Sequence, residues 1–188
     1  MTGSETEEGG PRSAGSDSTG PGANMRGTSG LGLVVAVVVL VMDQTHKLWS
    51  IFILGMTPGD RFALLPFLDV VYVINSGISY GLFAMNSVSG QLLLSMFALL
   101  VAGGLTLWLF KVRHSRLVAV AIGLVIGGAA GNGIDRLHLG GVADFFSLHA
   151  FGYYWYVFNI ADVAIVAGVI GLLYDSLIVS RNGAANQP

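Results

Sequence analysis

Two aspartates lie in segments that are otherwise almost entirely apolar. Asp144 is flanked by Ala143 and Phe145, and Asp162 lies near the start of a long apolar run. A charged side chain inside a bilayer costs roughly 2.5–3.5 kcal/mol on insertion scales, so an aspartate kept there indicates a functional site. Two carboxylates at one depth would share a proton and activate water, because like charges at close range cannot both ionise.

Asn159 lies three residues before Asp162, so the two share one face of a predicted helix. An amide beside a carboxylate can hold that carboxylate, or a substrate carbonyl, by hydrogen bonds. The pair could also be a satisfied core network. We favour an acid–base role, because the loop at 145–157 can bring Asp144 close to it.

Two further polar groups have helical spacing. Asp43 and Lys47 are four residues apart and can pair. They either form a structural ion pair, or Lys47 extends to the interface while Asp43 holds another segment or contacts a substrate. Asn132, Asp135 and Arg136 close another apolar run, where a structural network is favoured over catalysis.

Other chemistries find less support in the sequence. The chain has no cysteine, which excludes disulfides, thiolate metal sites and a cysteine nucleophile. Its four histidines do not cluster, and no H-E-x-x-H motif indicates a zinc protease. A Ser/Lys dyad that uses Lys47 stays open, although no serine is specially placed for it. A net charge of −2 gives no reason to expect a nucleic-acid partner.

The composition is that of an integral membrane protein. Hydrophobic residues make up 53% of the 188 residues and charged residues 11%, against about 25% charged residues in a typical soluble domain. The mean hydropathy is +0.71. Residues 1–30 are polar and glycine-rich, and they predict a disordered extension. Residues 31–180 predict one membrane domain, and 181–188 a short tail.

Four apolar segments are long enough to cross the membrane. They are Leu31–Met56, Gly90–Phe110, Leu117–Ile134 and about Val157–Val179. Small residues at four-residue spacing, including Gly123, Gly127 and Gly131, predict close helix packing.

Basic residues predict the orientation. Lys111, Arg113 and Arg116 fill the loop between the second and third spans, so that loop and both termini should be cytoplasmic. The polar residues described above then converge at the outer face. Of the two outer loops, the first has strand character over Phe67–Ile74, which predicts a small β-element. The second, which carries Phe145, Phe146 and the aromatic run Tyr153–Tyr156, predicts an aromatic belt at the interface.

Five blocks in this order and spacing resemble bacterial lipoprotein signal peptidase, also called signal peptidase II. They are Asp43–Lys47, Val73–Gly81, Gly127–Arg136, Val142–Phe145 and Phe158–Asp162. The resemblance covers about residues 33–178. It implies an all-α membrane fold of four transmembrane helices, with an extracytoplasmic β-cradle and a short amphipathic periplasmic helix.

The resemblance also implies an activity and a site. The activity is aspartic endopeptidase cleavage of prolipoproteins before a cysteine that carries diacylglycerol, in the bacterial inner membrane. The implied partners are this substrate and membrane lipid, with no cofactor or metal. Asp144 and Asp162 match the catalytic aspartates. The matches to site-lining residues are Asn75, Asn132, Arg136 and Asn159, and those to residues of structural integrity are Asp43, Lys47 and Asp135.

Two other functions remain possible from the residues. A small proton-coupled transporter would also keep carboxylates and a lysine in the membrane. Against it, the charges gather at one face and form no path across. A non-catalytic scaffold, in which a buried polar network fixes the register of the helices, is the third possibility.

Overall fold

The computed structural model describes residues 21–77 and 87–185, with side chains over 28–77 and 87–177. Within these residues, the elements in chain order are α1 (Pro21–Leu48, extended by a π-helical turn at Trp49–Ile53), β1 (Arg61–Leu65), β2 (Leu68–Asn75), α2 (Val88–Lys111), α3 (Arg116–Leu139), β3 (Val142–Ala150), β4 (Tyr153–Phe158) and α4 (Ile160–Ala185).

Among the described residues, four helices are long and apolar enough to span a membrane, in agreement with the four predicted spans. Helix α3 is the central helix, because 61% of its apolar stretch is buried, against 17–22% in the other three helices. Helices α1, α2 and α4 all pack against it. The outer surfaces of those three helices are left for lipid.

Small residues let the helices approach closely, as predicted. A Cβ atom at Gly127 would lie 2.5 Å from the carbonyl oxygen of Ala36 in α1. A Cβ atom at Gly128 would lie 2.5 Å from the carbonyl oxygen of Ala161 in α4. Real Cβ atoms do not approach so near, so only glycine allows α3 to contact both neighbours at backbone distance.

The four strands form one antiparallel sheet in the order β1-β2-β3-β4. Strand β2 confirms the β-element predicted in the first outer loop. Strands β3 and β4 lie in the second predicted loop, where the sequence predicted an aromatic belt but no strands. Aromatic and β-branched side chains favour strands. The β-element is therefore larger than the sequence indicated and joins the loop between α1 and α2 with the loop between α3 and α4.

Two element boundaries also differ from prediction. Helix α1 begins at Pro21, so the end of the segment predicted as disordered (1–30) is helical; proline is well suited to the first turn of a helix. Helix α4 continues to Ala185, into the predicted tail. Residues 1–20, 78–86 and 186–188 lie outside the described residues, as does part of the Val73–Gly81 block.

The sheet has its own apolar core on one face. Ala143 and Phe145 of β3 are fully buried there, with the Phe145 ring stacked on Tyr72 of β2 at 4.9 Å between centroids. Because side chains alternate along a strand, Asp144 projects to the opposite side. On that side its carboxylate reaches Asn159, the residue directly before α4.

Candidate active site

The structure brings Asp144 and Asp162 together from two different elements. Asp144 is in the middle of β3 and is 1% exposed. Asp162 is in the first turn of α4 and is partly exposed. The predicted convergence of these two carboxylates is therefore present.

Two amide side chains bridge the carboxylates. Asn159 Nδ2 donates to Asp144 Oδ1 at 2.6 Å and to Asn132 Oδ1 at 3.1 Å. Asn132 Nδ2 then donates to Asp162 Oδ1 at 2.8 Å. Asn159 is 0% and Asn132 8% exposed, so this chain of hydrogen bonds is largely shielded from competing water.

Asp162 is fixed further by the start of its own helix. Its backbone N–H donates to Asn159 Oδ1 at 2.9 Å, and its Oδ2 accepts from the Asn159 backbone N–H at 3.3 Å. This is a reciprocal capping arrangement across three residues, which satisfies two N–H groups that a helix start leaves unpaired. The predicted shared face of Asn159 and Asp162 follows from it.

Asn75, at the end of β2, reaches the same site. Its Nδ2 donates to Asp144 Oδ2 at 3.1 Å and to the Tyr156 hydroxyl at 2.7 Å. Both oxygens of Asp144 thus accept an N–H bond. Hydrogen bonds of this kind favour the charged form of a carboxyl group.

Arg136 borders the site from the last turn of α3. Its Nη1 donates to the Asn132 carbonyl at 3.0 Å, and its Nη2 donates to the Gly77 carbonyl at 2.9 Å. The guanidinium is close enough to interact electrostatically with Asp144 and Asp162. Arg136 therefore joins α3 to the chain that leaves β2, and it supplies positive charge beside the two carboxylates.

The ion pair predicted between Asp43 and Lys47 is present, and Asp135 completes it. Lys47 Nζ lies 2.7 Å from Asp43 Oδ2 and 2.6 Å from Asp135 Oδ2, and all three residues are at most 2% exposed. This pairing argues against the Ser/Lys dyad, because Lys47 Nζ is already engaged by two carboxylates and contacts no serine in the described ion pairs and hydrogen bonds.

The same charged cluster contacts the backbone beside each site aspartate. Asp43 Oδ1 accepts from the N–H of Ala161 at 3.0 Å. Asp135 Oδ2 accepts from the N–H of Ala143 at 3.1 Å. One buried cluster on α1 and α3 thus fixes the chain next to Asp162 and next to Asp144.

Burial, and to a smaller extent the neighbouring Asp162 carboxylate, raise the pKa of Asp144 to about 7, although the N–H groups of Asn75 and Asn159 oppose the rise. A carboxyl group with such a pKa can exchange a proton near neutral pH. That property is the one required of an acid–base catalyst.

A cavity of about 790 Å³ lies between α2, α3 and α4 and opens beside the carboxylates. Its polar end contains Asn75, Asn132, Arg136, Tyr156 and Asp162. Apolar side chains form most of the remaining wall, including Leu94, Phe97 and Val101 of α2 and Val163, Val166 and Ile170 of α4. The cavity can hold an apolar ligand with its polar end at Asp162.

Three contributors to this region were missed in the sequence. Tyr156 lies within the aromatic run, where an interface role was the ordinary interpretation. Gln44 donates to Asp135 Oδ1 at 2.9 Å, and Gln91 of α2 donates to the Ser76 carbonyl at 2.6 Å. Their partners are distant in sequence, so only their position in apolar segments could have indicated them. In the described part of the chain, no three His, Asp or Glu side chains are grouped to hold a metal ion.

The profile of the family described as "Signal peptidase (SPase) II" matches residues 35–178, which is most of the chain and includes every residue of the site. The chain belongs to the signal peptidase II family.

Relatives and solved structures agree with this membership. The chain is 48% identical over 151 residues to a lipoprotein signal peptidase of Methylocella silvestris, covering 80% of this chain and 88% of the relative. It is 49% identical over 146 residues to one of Methylobacterium radiotolerans, covering 78% and 85%. A bacterial membrane enzyme solved by the in meso method matches with a TM-score of 0.72 at 30% identity, covering 81% of this chain and 91% of the other.

Membership decides between the classes of function left open by the residues. Signal peptidase II is an aspartic peptidase, so this protein is an enzyme. The transporter and scaffold alternatives have no support from the family or from its relatives.

Proposed function

We propose that Asp144 and Asp162 are the catalytic pair of a peptidase that removes signal peptides from prolipoproteins. The observation that supports this most is the bridging of two carboxylates, from β3 and α4, by the Asn159 and Asn132 amides at the polar end of an apolar cavity. Such a pair has no structural need to be there, since burying carboxylates is costly. Catalysis gives a reason for that cost.

The proposed substrate carries diacylglycerol on the cysteine that follows the cleaved bond. The apolar wall formed by α2 and α4 suits acyl chains, and the peptide would lie across the polar end. The long cavity between membrane helices supports a lipidated substrate better than a bare peptide, because it offers apolar surface well beyond the aspartates.

In the proposed reaction, the pair shares one proton. The ionised carboxylate takes a proton from a water molecule while the water oxygen attacks the scissile carbonyl carbon. The protonated carboxyl group donates its proton to the carbonyl oxygen. The tetrahedral intermediate then collapses: one of its hydroxyl groups returns a proton to the pair, the C–N bond breaks, and the leaving nitrogen receives the proton that came from water, so the pair again holds one proton. The titration belongs to both groups together.

The surrounding residues act by holding this geometry. Asn132 and Asn159 keep the carboxylates at a fixed separation, and Asn75 orients Asp144. Arg136 donates a hydrogen bond to the backbone carbonyl of Asn132 and so fixes that residue. The Lys47 cluster acts on the backbone at Ala143 and Ala161. Fixed donors and acceptors in a water-poor site are what electrostatic catalysis requires.

We also propose that the site faces the extracytoplasmic side of the bacterial inner membrane, with both termini in the cytoplasm. The support is the concentration of Lys111, Arg113 and Arg116 in the loop between α2 and α3. The sheet and the two aspartates lie at the other end of the bundle, since β3 follows the end of α3 and Asp162 begins α4.

The test is a cleavage assay with the purified protein in detergent. A diacylglyceryl-modified prolipoprotein and the same precursor with serine in place of the modified cysteine are incubated separately, and the product termini are determined by mass spectrometry. We expect a product that begins at the lipidated cysteine, and little or no product from the serine precursor. Equal cleavage of both precursors would contradict the lipid-binding role of the cavity, and cleavage of neither would contradict the function.

A further inference from the structure

The side-chain amide of Asn75 uses both of its N–H donors and one of the two lone pairs on its oxygen. Its Nδ2 donates to Asp144 Oδ2 at 3.1 Å and to the Tyr156 hydroxyl at 2.7 Å, and its Oδ1 accepts from the N–H of Gly77 at 3.0 Å. A planar amide with three such contacts has one orientation. The shortest of the three is the bond to Tyr156.

We propose that Tyr156 is a positioning residue for the Asp144 carboxylate and acts on it through Asn75. The inference rests on the proposed function, because it assumes that Asp144 takes part in the reaction. The Tyr156 hydroxyl oxygen accepts one hydrogen of the Asn75 NH₂ group, which turns the other toward Asp144 Oδ2.

The backbone of β4 has a local irregularity that supports this role. Ser147 pairs with Val157 and His149 with Tyr154, so β4 uses three steps where β3 uses two. The extra residue lies at Trp155–Tyr156. A β-bulge of this kind re-aims a side chain and is frequent beside active sites. Here Tyr156 lines the cavity, whereas Trp155 is 68% exposed.

Tyr156 also connects the cavity with Asp144, which does not line it. Asp162 lines the cavity directly, whereas Asp144 is 1% exposed. Asn75 and Tyr156 both line the cavity, so the Asn75 amide, held by the Tyr156 hydroxyl, connects the cavity wall with Asp144. A substrate that fills the cavity contacts the side chain that sets the orientation of Asn75.

Removal of the hydroxyl should change the titration of the pair. The charged groups that face Asp144 are Asp162 of α4, Lys47 of α1 and Arg136 of α3. None of them is altered by Tyr156→Phe, which also keeps the ring in the cavity wall. The N–H bond from Asn75 lowers the pKa of Asp144 against the larger effect of burial. Without the Tyr156 hydroxyl, the Asn75 amide can rotate and its hydrogen bond to Asp144 weakens. The pKa of Asp144 should therefore rise.

The experiment compares wild type, Tyr156→Phe and Tyr154→Phe in the lipidated-precursor assay over pH 5 to 9. Tyr154 is on the same strand and is 63% exposed, so its variant controls for loss of a tyrosine hydroxyl. For Tyr156→Phe we expect kcat to fall about 3- to 10-fold, the effect of one hydrogen bond. The alkaline limb of kcat/KM, on which the pair loses its shared proton, should move to higher pH by about 0.5 to 1. Tyr154→Phe should match wild type in both.

Two outcomes would overturn the inference. If Tyr156→Phe raises KM and leaves the pH dependence of kcat/KM unchanged, Tyr156 only lines the cavity. If kcat and the pH dependence are both unchanged, Tyr156 has no role in positioning Asp144. Thermal unfolding of each variant in detergent separates a loss of fold from a loss of rate. Asp144→Asn is measured in parallel: if it retains full activity, the proposed function fails, whereas an inactive Asp144→Asn with a wild-type Tyr156→Phe rejects only the role of Tyr156.

Discussion

Among single residues, Asp144 is the side chain whose environment most opposes its ordinary charge. Desolvation in β3 and the nearby Asp162 raise its pKa to about 7, even though both of its oxygens accept N–H bonds. In the unfolded chain the same group ionises near pH 4. The folded protein therefore binds this proton more strongly than the unfolded chain does.

A pH dependence of stability follows. Between about pH 4 and 7 the folded state holds one proton that the unfolded state has lost, so the free energy of unfolding falls as pH rises through this range, by on the order of 4 kcal/mol at most. Asp144→Asn cannot ionise and should flatten that slope. Unfolding in detergent at pH 5 and pH 8 measures it for wild type and variant; equal slopes would contradict the raised pKa.

The two aspartates were easier to predict from the sequence than the residues that hold them in place. Asp144 and Asp162 were predictable because carboxylates in apolar segments are costly and few. The amides Asn132 and Asn159 followed from helical spacing. Tyr156 and Gln91 did not, because a tyrosine at an interface and a glutamine near a helix start have ordinary explanations. Their roles depend on partners that only the folded chain brings near.

Among the elements, α3 is the one that positions the others. Its glycines let α1 and α4 contact it at backbone distance, and its last turns hold Asn132, Asp135 and Arg136. The helices were predictable from their length and hydropathy. The extent of the sheet was not, because pairing between β2 and β3 joins two loops more than sixty residues apart, and neither loop alternates cleanly along its whole length.

Gly128→Ala should therefore disturb the site from a distance. The added Cβ atom would lie 2.5 Å from the Ala161 carbonyl oxygen and 2.7 Å from Ile165 Cγ1, so α4 must shift. We expect a loss of about 1–3 kcal/mol in stability and a fall of about 10- to 100-fold in turnover, because Asn159 and Asp162 move with α4. Gly104→Ala is the control, since its Cβ atom meets nothing within 4 Å. Equal turnover in the two variants would contradict the packing argument.

For the whole molecule, the arrangement keeps the chemistry at one end. Apolar helices face lipid, and the sheet and the polar cluster lie together where α3 ends and α4 begins. Composition and the basic loop were enough to predict a four-span protein with its polar groups at one face. The buried hydrogen bonds that link sheet and bundle could not be predicted, because they depend on side-chain geometry.

The absence of cysteine from the sequence allows a direct test of orientation. Phe151→Cys places a thiol at the fully exposed tip of the β3–β4 hairpin, and Arg113→Cys places one in the basic loop. In intact cells, a membrane-impermeant thiol reagent should label the first only. The second should react after permeabilisation. The reverse pattern would place the aspartates on the cytoplasmic side and contradict the proposal.

The central claim is that Asp144 and Asp162 together hydrolyse the peptide bond. The most direct measurement is cleavage of a diacylglyceryl-modified prolipoprotein by Asp144→Asn and Asp162→Asn, with Asp175→Asn as the control. Asp175 is half-buried near the far end of α4, where it accepts a hydrogen bond from Ser115. Each site variant should lose turnover by about 1000-fold or more, as expected when a group that acts in the reaction itself is removed, and should still unfold cooperatively in detergent. The control should keep wild-type turnover. Folded Asp144→Asn or Asp162→Asn protein that cleaves the precursor at the wild-type rate would contradict the account.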